Sequence, residues 1–201
     1  MIAVIDYGMG NLGSVSKALK SLGAEVKVTA ACADLKKADK IVLPGVGAFK
    51  DTMDALARLG LSEALKDVIL SKKPYLGICL GLEILFEEST EGGKNDGLGI
   101  LKGDVARFED SILKVPHIGW NQIRQKKAAC PLLKGILDDA FFYFVHSYYV
   151  RPKDKDVVAS VTDYGVEFAS FVWQDNIYAV QFHPEKSQEN GIRFLENFIR
   201  L

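Results

Sequence analysis

A chain of 201 residues with 48% hydrophobic content can bury one sizeable core, and its length favours a single domain over residues 1–201. With 25 basic and 26 acidic residues the formal net charge is −1, which leaves no electrostatic footprint for nucleic acid or an anionic membrane, and no apolar run approaches the ~20 residues of a membrane span. Three cysteines make a poor disulfide framework and the chain opens on a strand pattern without a basic leader, so a reducing, cytoplasmic setting is expected.

The first half alternates apolar strands, at residues 2–6, 25–29, 40–43 and 75–78, with helical patterns, which predicts βαβ organisation around a parallel sheet. The first strand runs into Gly8-Met9-Gly10-Asn11-Leu12-Gly13, a match to the Gly-x-Gly-x-x-Gly dinucleotide fingerprint that opens a helix. The acid that would bind a ribose is missing from the end of the second strand, Val28-Thr29-Ala30-Ala31, and Asp34 is displaced into the next helix. A glycine-rich turn that shapes a surface is therefore the expected reading. The third strand ends in Leu43-Pro44-Gly45-Val46-Gly47, where Gly45 and Gly47 can adopt angles that turn an N–H inward, so the Val46 amide is a candidate oxyanion donor.

The fourth strand carries the strongest signal. Tyr75-Leu76-Gly77-Ile78-Cys79-Leu80-Gly81-Leu82-Glu83 reads as a buried strand that turns abruptly into a helix with a cysteine at the corner. Gly-x-Cys-x-Gly is the thiol counterpart of the Gly-x-Ser-x-Gly elbow, with Gly77 and Gly81 letting strand and helix pack closely. Free N–H groups at a helix start near Leu80 are expected to favour the thiolate, and the Leu80 amide would be the second oxyanion donor.

The second half is richer in strands and hairpins, at residues 100–108, 118–124, 141–150, 157–162 and 168–180, before helical spacing returns over 191–201. Of His117, His146 and His183, the last ends an apolar strand, residues 177–185, that delivers its final residues to a sheet edge. Pro184 keeps His183 extended and Glu185 lies two residues on, so Glu185 faces the same side and is expected to orient the imidazole. His117 is expected to be a hydrogen-bonded loop histidine. Cys32 and Cys130 read as packing thiols, and no Cys-x-x-Cys or His-x-x-x-His spacing suggests a metal.

The elbow Gly-Ile-Cys-Leu-Gly, the His183-Pro184-Glu185 end and the Pro44-Gly45-Val46-Gly47 turn together resemble the class I, triad-type glutamine amidotransferases. Within that family, residues 44–49, 116–121, 144–148 and 181–186 are similar to the glutaminase subunits of imidazole glycerol phosphate synthases of histidine biosynthesis. The resemblance implies a three-layer, flavodoxin-like α/β fold with a mostly parallel central sheet, helices on both faces and extra antiparallel strands in the second half. It also implies a glutaminase with the triad Cys79, His183 and Glu185, no cofactor, and a heterodimer with a cyclase subunit, a (β/α) barrel that consumes the ammonia. The glutaminase signals end at Lys186, so the acceptor chemistry is expected on that other chain.

By the same resemblance the backbone of Ser147 and Tyr148 meets the glutamine carboxylate, His146 supports them, Glu91 contacts substrate and Asn11 stands near the mouth of the ammonia path. Glu83 occupies a position where the family usually has glutamine. A carboxylate there is expected to pair with the substrate ammonium rather than its carbonyl. Met9, Pro116, Ile118 and Trp120 are read as loop residues whose apolar surface is covered by the partner, with Lys186 and Asn11 at the same interface. The alternatives are the glutaminase subunit of an anthranilate, purine or pyridoxal phosphate synthase, or a non-catalytic regulatory subunit of this fold.

Overall fold

Residues 1–109 and 114–201 are described by the computed structural model. In chain order the first half comprises β1 (Ile2–Ile5), α1 (Leu12–Ser21), β2 (Val26–Thr29), α2 (Cys32–Lys37), β3 (Lys40–Gly45), α3 (Phe49–Arg58), α4 (Leu61–Leu70), β4 (Tyr75–Cys79) and the short α5 (Leu80–Glu83). The second half adds β5 (Glu88–Ser89), β6 (Asn95–Asp96), β7 (Gly103–Arg107), β8 (His117–Gln122), β9 (Arg124–Gln125), β10 (Phe141–His146), β11 (Tyr148–Pro152), β12 (Val158–Asp163), β13 (Glu167–Gln174), β14 (Ile177–Val180) and α6 (Gln188–Arg200).

Strand β1 shows why three layers form. All four of its residues are buried, and because successive side chains face opposite sides, both faces of the sheet must be covered. Ala3 and Ile5 join Leu35, Leu56 and Leu65 from α2, α3 and α4 in one core. Ile2 and Val4 join Val15, Leu19, Phe194 and Phe198 from α1 and α6 in the other. The eight-stranded sheet between them runs β2-β1-β3-β4-β14-β13-β12-β9. Strands β2, β1, β3, β4 and β14 are mutually parallel, and β13, β12 and β9 continue antiparallel. This is the expected α/β architecture. No helix among the described residues is long and apolar enough to cross a membrane.

Two positions of this sheet build the site. Strands β4 and β14 are parallel neighbours with Ile78 opposite Val180, so Cys79 and the segment leading to His183 leave the sheet side by side at its carboxyl end. Strand β14 is hydrogen-bonded on both flanks, so the edge that His183 reaches is the end of the sheet and not a lateral strand.

The predicted strand over 141–150 is two strands in two sheets. Strand β10 pairs with β8 and β11 with β7, and the chain crosses between them at Ser147. Strands β5 and β6, two polar residues each, carry no alternation that could announce them. Helix α6 begins at Gln188 rather than at Gly191. Gly191 lies inside it as a packing position, where a Cβ would come within 1.9 Å of the Pro184 carbonyl oxygen.

Candidate active site

Cys79 sits at the corner between β4 and α5 with φ 54° and ψ −108°, a left-handed backbone that costs a non-glycine residue about 1–3 kcal/mol. The neighbouring glycines make that turn fit. A Cβ on Gly77 would lie 2.2 Å from the Gly81 carbonyl oxygen, and one on Gly81 would lie 2.1 Å from that of Leu43. The Tyr75 hydroxyl donates to the same Gly81 carbonyl at 2.8 Å and ties the end of the elbow to its strand.

The charge state of the thiol differs from expectation. Burial pushes the Cys79 thiol well above its ordinary range and the Glu83 and Glu185 carboxylates push it further, against the Leu80 N–H and the Gln181 side chain, which pull it down. Helix α5 has four residues and supplies little macrodipole, so the expected thiolate bias from a helix terminus is outweighed by desolvation. Attack by this sulfur therefore calls for a base.

His183 is the candidate for that base. Its backbone N–H donates to the Tyr143 carbonyl at 2.9 Å, and its carbonyl accepts from the Ser187 hydroxyl at 2.6 Å. Nδ1 lies 2.9 Å from Glu185 Oε1, and a carboxylate only accepts, so the proton sits on Nδ1 and Nε2 carries the free lone pair. Nε2 is buried without a hydrogen-bond partner. The Glu185 side chain is fully enclosed, and Asn11 Nδ2 donates to the same Oε1 at 3.4 Å. The reach from His183 to Glu185 is as expected but the route is not: residues 184–186 form a 3₁₀ turn, not an extended chain. Asn11, expected at the ammonia path, also holds the carboxylate that holds the histidine.

One cleft of about 240 Å³ gathers Cys79 and Leu80 with Val46, Gly47, Glu83, Glu91, Ser147 and Tyr148, all singled out from the sequence. Pro116 and His146 line it too. A larger hollow of about 510 Å³, near Lys126, Arg151 and Phe168, contains neither nucleophile nor base. Gly47 has the left-handed φ of 110° that the turn needs. Gly45 does not: it is the last residue of β3, and its role is contact, since a Cβ there would lie 2.5 Å from that of Leu80. Glu91 Oε2 accepts the Phe49 N–H at 2.6 Å, so this acid also caps the start of α3. Tyr7, unremarked in the sequence, is buried beside Thr52 and the Val46 backbone, and burial raises its hydroxyl to about 12.

Glu83 is 3% exposed, and burial, helped by the charge of Glu91, raises its carboxyl to about 7. It therefore titrates at neutral pH. If the ionised form pairs with a substrate ammonium, glutamine binding tightens as pH rises through about 7. Glu83→Gln, whose amide oxygen can still accept from Gln181 Nε2, is expected to raise KM several-fold at pH 8 with little change in kcat and to flatten the pH dependence of KM. Steady-state kinetics identical to the parent at every pH would show that Glu83 makes no substrate contact.

His146 and His117 form a buried relay of fixed polarity. His146 Nδ1 donates to the Tyr148 carbonyl at 2.7 Å, so its Nε2 accepts from His117 Nδ1 at 2.9 Å, and His117 Nε2 accepts from Asn121 Nδ2 at 3.3 Å. Burial lowers His117 to about 4, and burial with the neighbouring His117 and His183 charges lowers His146 to about 3. Both folded values lie below the ordinary 6.5, so the unfolded chain takes up protons first. The stability this confers is present above pH ~6.5 and is lost as pH falls toward 4. The thermal midpoint followed by circular dichroism is expected to drop by several degrees between pH 7 and pH 5, above the range where ordinary carboxylates titrate. A flat midpoint there would mean that the pair is not neutral.

The dinucleotide alternative finds no support here. Asp34 is bound internally, to Lys27 Nζ at 2.7 Å and Thr29 Oγ1 at 2.6 Å. Gly10 packs against the Pro44 carbonyl, which a Cβ would approach to 3.0 Å, so the glycine loop buttresses the turn at residues 44–47. Among the described residues no three His, Cys, Asp or Glu side chains converge as a metal site.

The family profile described as glutamine amidotransferase class-I matches residues 3–201. The chain belongs to that family. The amidotransferase is 51% identical to the imidazole glycerol phosphate synthase subunit HisH of Syntrophotalea carbinolica, over 98% of each chain. It is 50% identical to subunit HisH 1 of Campylobacter jejuni strain RM1221 over 100% of each. Its fold matches a crystal structure of a glutamine amidotransferase at a TM-score of 0.77, covering 100% of both chains at 19% identity. It also matches the structure of PurLQS from Thermotoga maritima at 0.80, covering 99% of this chain and 97% of that one at 18% identity.

Gln181 and Tyr7, which pack behind residues of the cleft, are the ones that sequence reasoning missed. For Gln181 a signal was present: it is the one polar residue in the run 177–182, and it shares the strand phase of His183.

Proposed function

We propose that this amidotransferase is the glutaminase subunit of an imidazole glycerol phosphate synthase, one domain over residues 1–201 working in the cytoplasm with a cyclase subunit. The observation that carries the reading is identity of about 50% to such subunits over essentially the whole chain. Cys79 Sγ gives its proton to His183 Nε2 and attacks the side-chain amide carbon of glutamine. The oxyanion accepts from the Leu80 and Val46 amides. Collapse expels ammonia with the proton from His183, and water, activated by the same imidazole, hydrolyses the thioester to glutamate and free thiol. Glutamine and water balance glutamate and ammonia, so this half-reaction needs no cofactor.

Ammonia then passes to the partner (β/α) barrel, which makes imidazole glycerol phosphate and an aminoimidazole carboxamide ribotide. Glutamate release measured alone, with the cyclase subunit, and with that subunit plus its nucleotide substrate tests the proposal. Release should rise when both are present. Release unaffected by that cyclase would point to a synthase of another pathway, and no release under any condition to a regulatory subunit.

The partner would cover one face of the β8 and β10 ladder. Ile118 and Trp120 were read as loop residues, but they lie on β8, 58% and 45% exposed, because alternation along that strand buries His117 and turns them outward. Phe141 is 50% exposed on β10, Trp120 meets Tyr143 edge-on, and Lys186 Nζ lies 5.6 Å above the Tyr143 ring. Pro116 is exposed and Met9 half-buried against the core. Trp120→Ala is expected to weaken cyclase binding by about tenfold or more while the lone subunit keeps its thermal midpoint. Parental affinity and parental ammonia transfer in that variant would remove Trp120 from the interface.

A further inference from the structure

Behind Cys79 and Glu83 lies a buried polar side chain that the mechanism above does not use. Gln181 is fully buried, directly follows β14 and precedes His183 by two residues. Its Nε2 lies 2.9 Å from Glu83 Oε1 and 3.7 Å from Cys79 Sγ, within reach of a sulfur acceptor. An amide nitrogen has two protons, one for each partner. Its Oε1 is buried with no hydrogen-bond partner, an arrangement that persists only if something dictates which end of the amide faces the cleft.

We propose that Gln181 is the hydrogen-bond donor that positions the Cys79 sulfur and stabilises its thiolate, and that Glu83 acts through Gln181 by fixing the direction of that amide. Rotating the amide by half a turn would set Oε1 against the Glu83 carboxylate, acceptor against acceptor. Ionised Glu83 therefore admits only the observed orientation. An N–H bond to a thiolate is charge-assisted and stronger than one to a thiol, so the contact strengthens as the sulfur loses its proton. An interaction that grows along the reaction coordinate accelerates it, whereas uniform contact would not. Burial and two nearby carboxylates oppose ionisation of Cys79, and Gln181 joins the Leu80 N–H in countering them.

This inference rests on Cys79 as the nucleophile, and the test separates the two. In the full chain, the rate of Cys79 alkylation by iodoacetamide is followed against pH by mass spectrometry of the Cys79 peptide, for the parent and for Gln181→Met, which fills similar space without a donor. The alkylation midpoint is expected to rise by about one pH unit, and kcat/KM for glutamine to fall about tenfold or more through kcat. An unchanged midpoint in a folded variant would overturn the proposal. Should Gln181→Met fail to fold, the parent supplies the readout: the Gln181 side-chain amide resonances should move with pH in step with Cys79 ionisation, and that step should vanish in Cys79→Ala. Amide resonances indifferent to the thiol would overturn the proposal equally. Alkylation reads the sulfur whether or not glutamine is turned over, so a midpoint that shifts in Gln181→Met while the parent releases no glutamate under any condition would overturn the proposed function and leave the Gln181 contact standing.

Discussion

Cys79→Ala is expected to abolish glutamine-dependent synthesis by the complex with the proposed cyclase subunit, by roughly 10⁴-fold or more, while synthesis from added ammonium continues at close to the parental rate. The division follows from where the atoms are. In the proposed function the thiol serves only to release ammonia, and among the described residues that line the cleft of about 240 Å³ around it there is no other cysteine. His183→Ala should show the same split, because the raised thiol cannot ionise without a proton acceptor. Loss of both activities with the complex still assembled would contradict the assignment of the two half-reactions to separate chains.

Gly81→Ala is expected to do nearly as much damage without touching a reacting atom. The added Cβ would fall 2.1 Å from the Leu43 carbonyl oxygen, a backbone atom in the parallel strand β3, so α5 must move off the sheet. Overpacking of that kind should cost about 2–4 kcal/mol in stability. Because α5 carries the Leu80 amide and sets the Cys79 backbone, displacement of about 1 Å should lower kcat/KM for glutamine about 10²-fold. Gly13→Ala is the control: it lies in α1 with nothing within 4 Å of the new Cβ, and there the substitution should be neutral or slightly stabilising. Thermal midpoints and glutaminase kinetics of the two variants measure the contrast. Parental behaviour in Gly81→Ala would mean that the elbow does not depend on this contact.

The parallel half of the fold was legible because its strands are buried on both faces and read as continuous apolar runs, as in residues 2–5 and 75–79. The elbow was legible for a related reason: glycines at 77 and 81 are required wherever a strand and a helix approach this closely, and that spacing survives in the letters. What stayed hidden depends on contacts between distant residues. The thiol is raised by burial and by residues 83 and 185, while a sequence motif advertises only the helix that begins beside it. The break at Ser147 arises because His146 turns inward to bond His117 and the Tyr148 carbonyl, partners 29 and 2 residues away. The link from Asn11 to Glu185 spans 174 residues and joins a loop read as a partner surface to the His183–Glu185 pair.

The central claim is that Cys79 forms a covalent bond to the carbon of the glutamine side-chain amide. The direct measurement uses a glutamine analogue with an electrophilic carbon in place of that amide, applied to the full chain with its cyclase partner and followed by peptide mass spectrometry alongside glutaminase activity. The account predicts one label per chain, on Cys79 and not on Cys32 or Cys130, formed in step with loss of activity and blocked by excess glutamine. Labelling of another residue, or glutamate release that persists once Cys79 is fully modified, would contradict it.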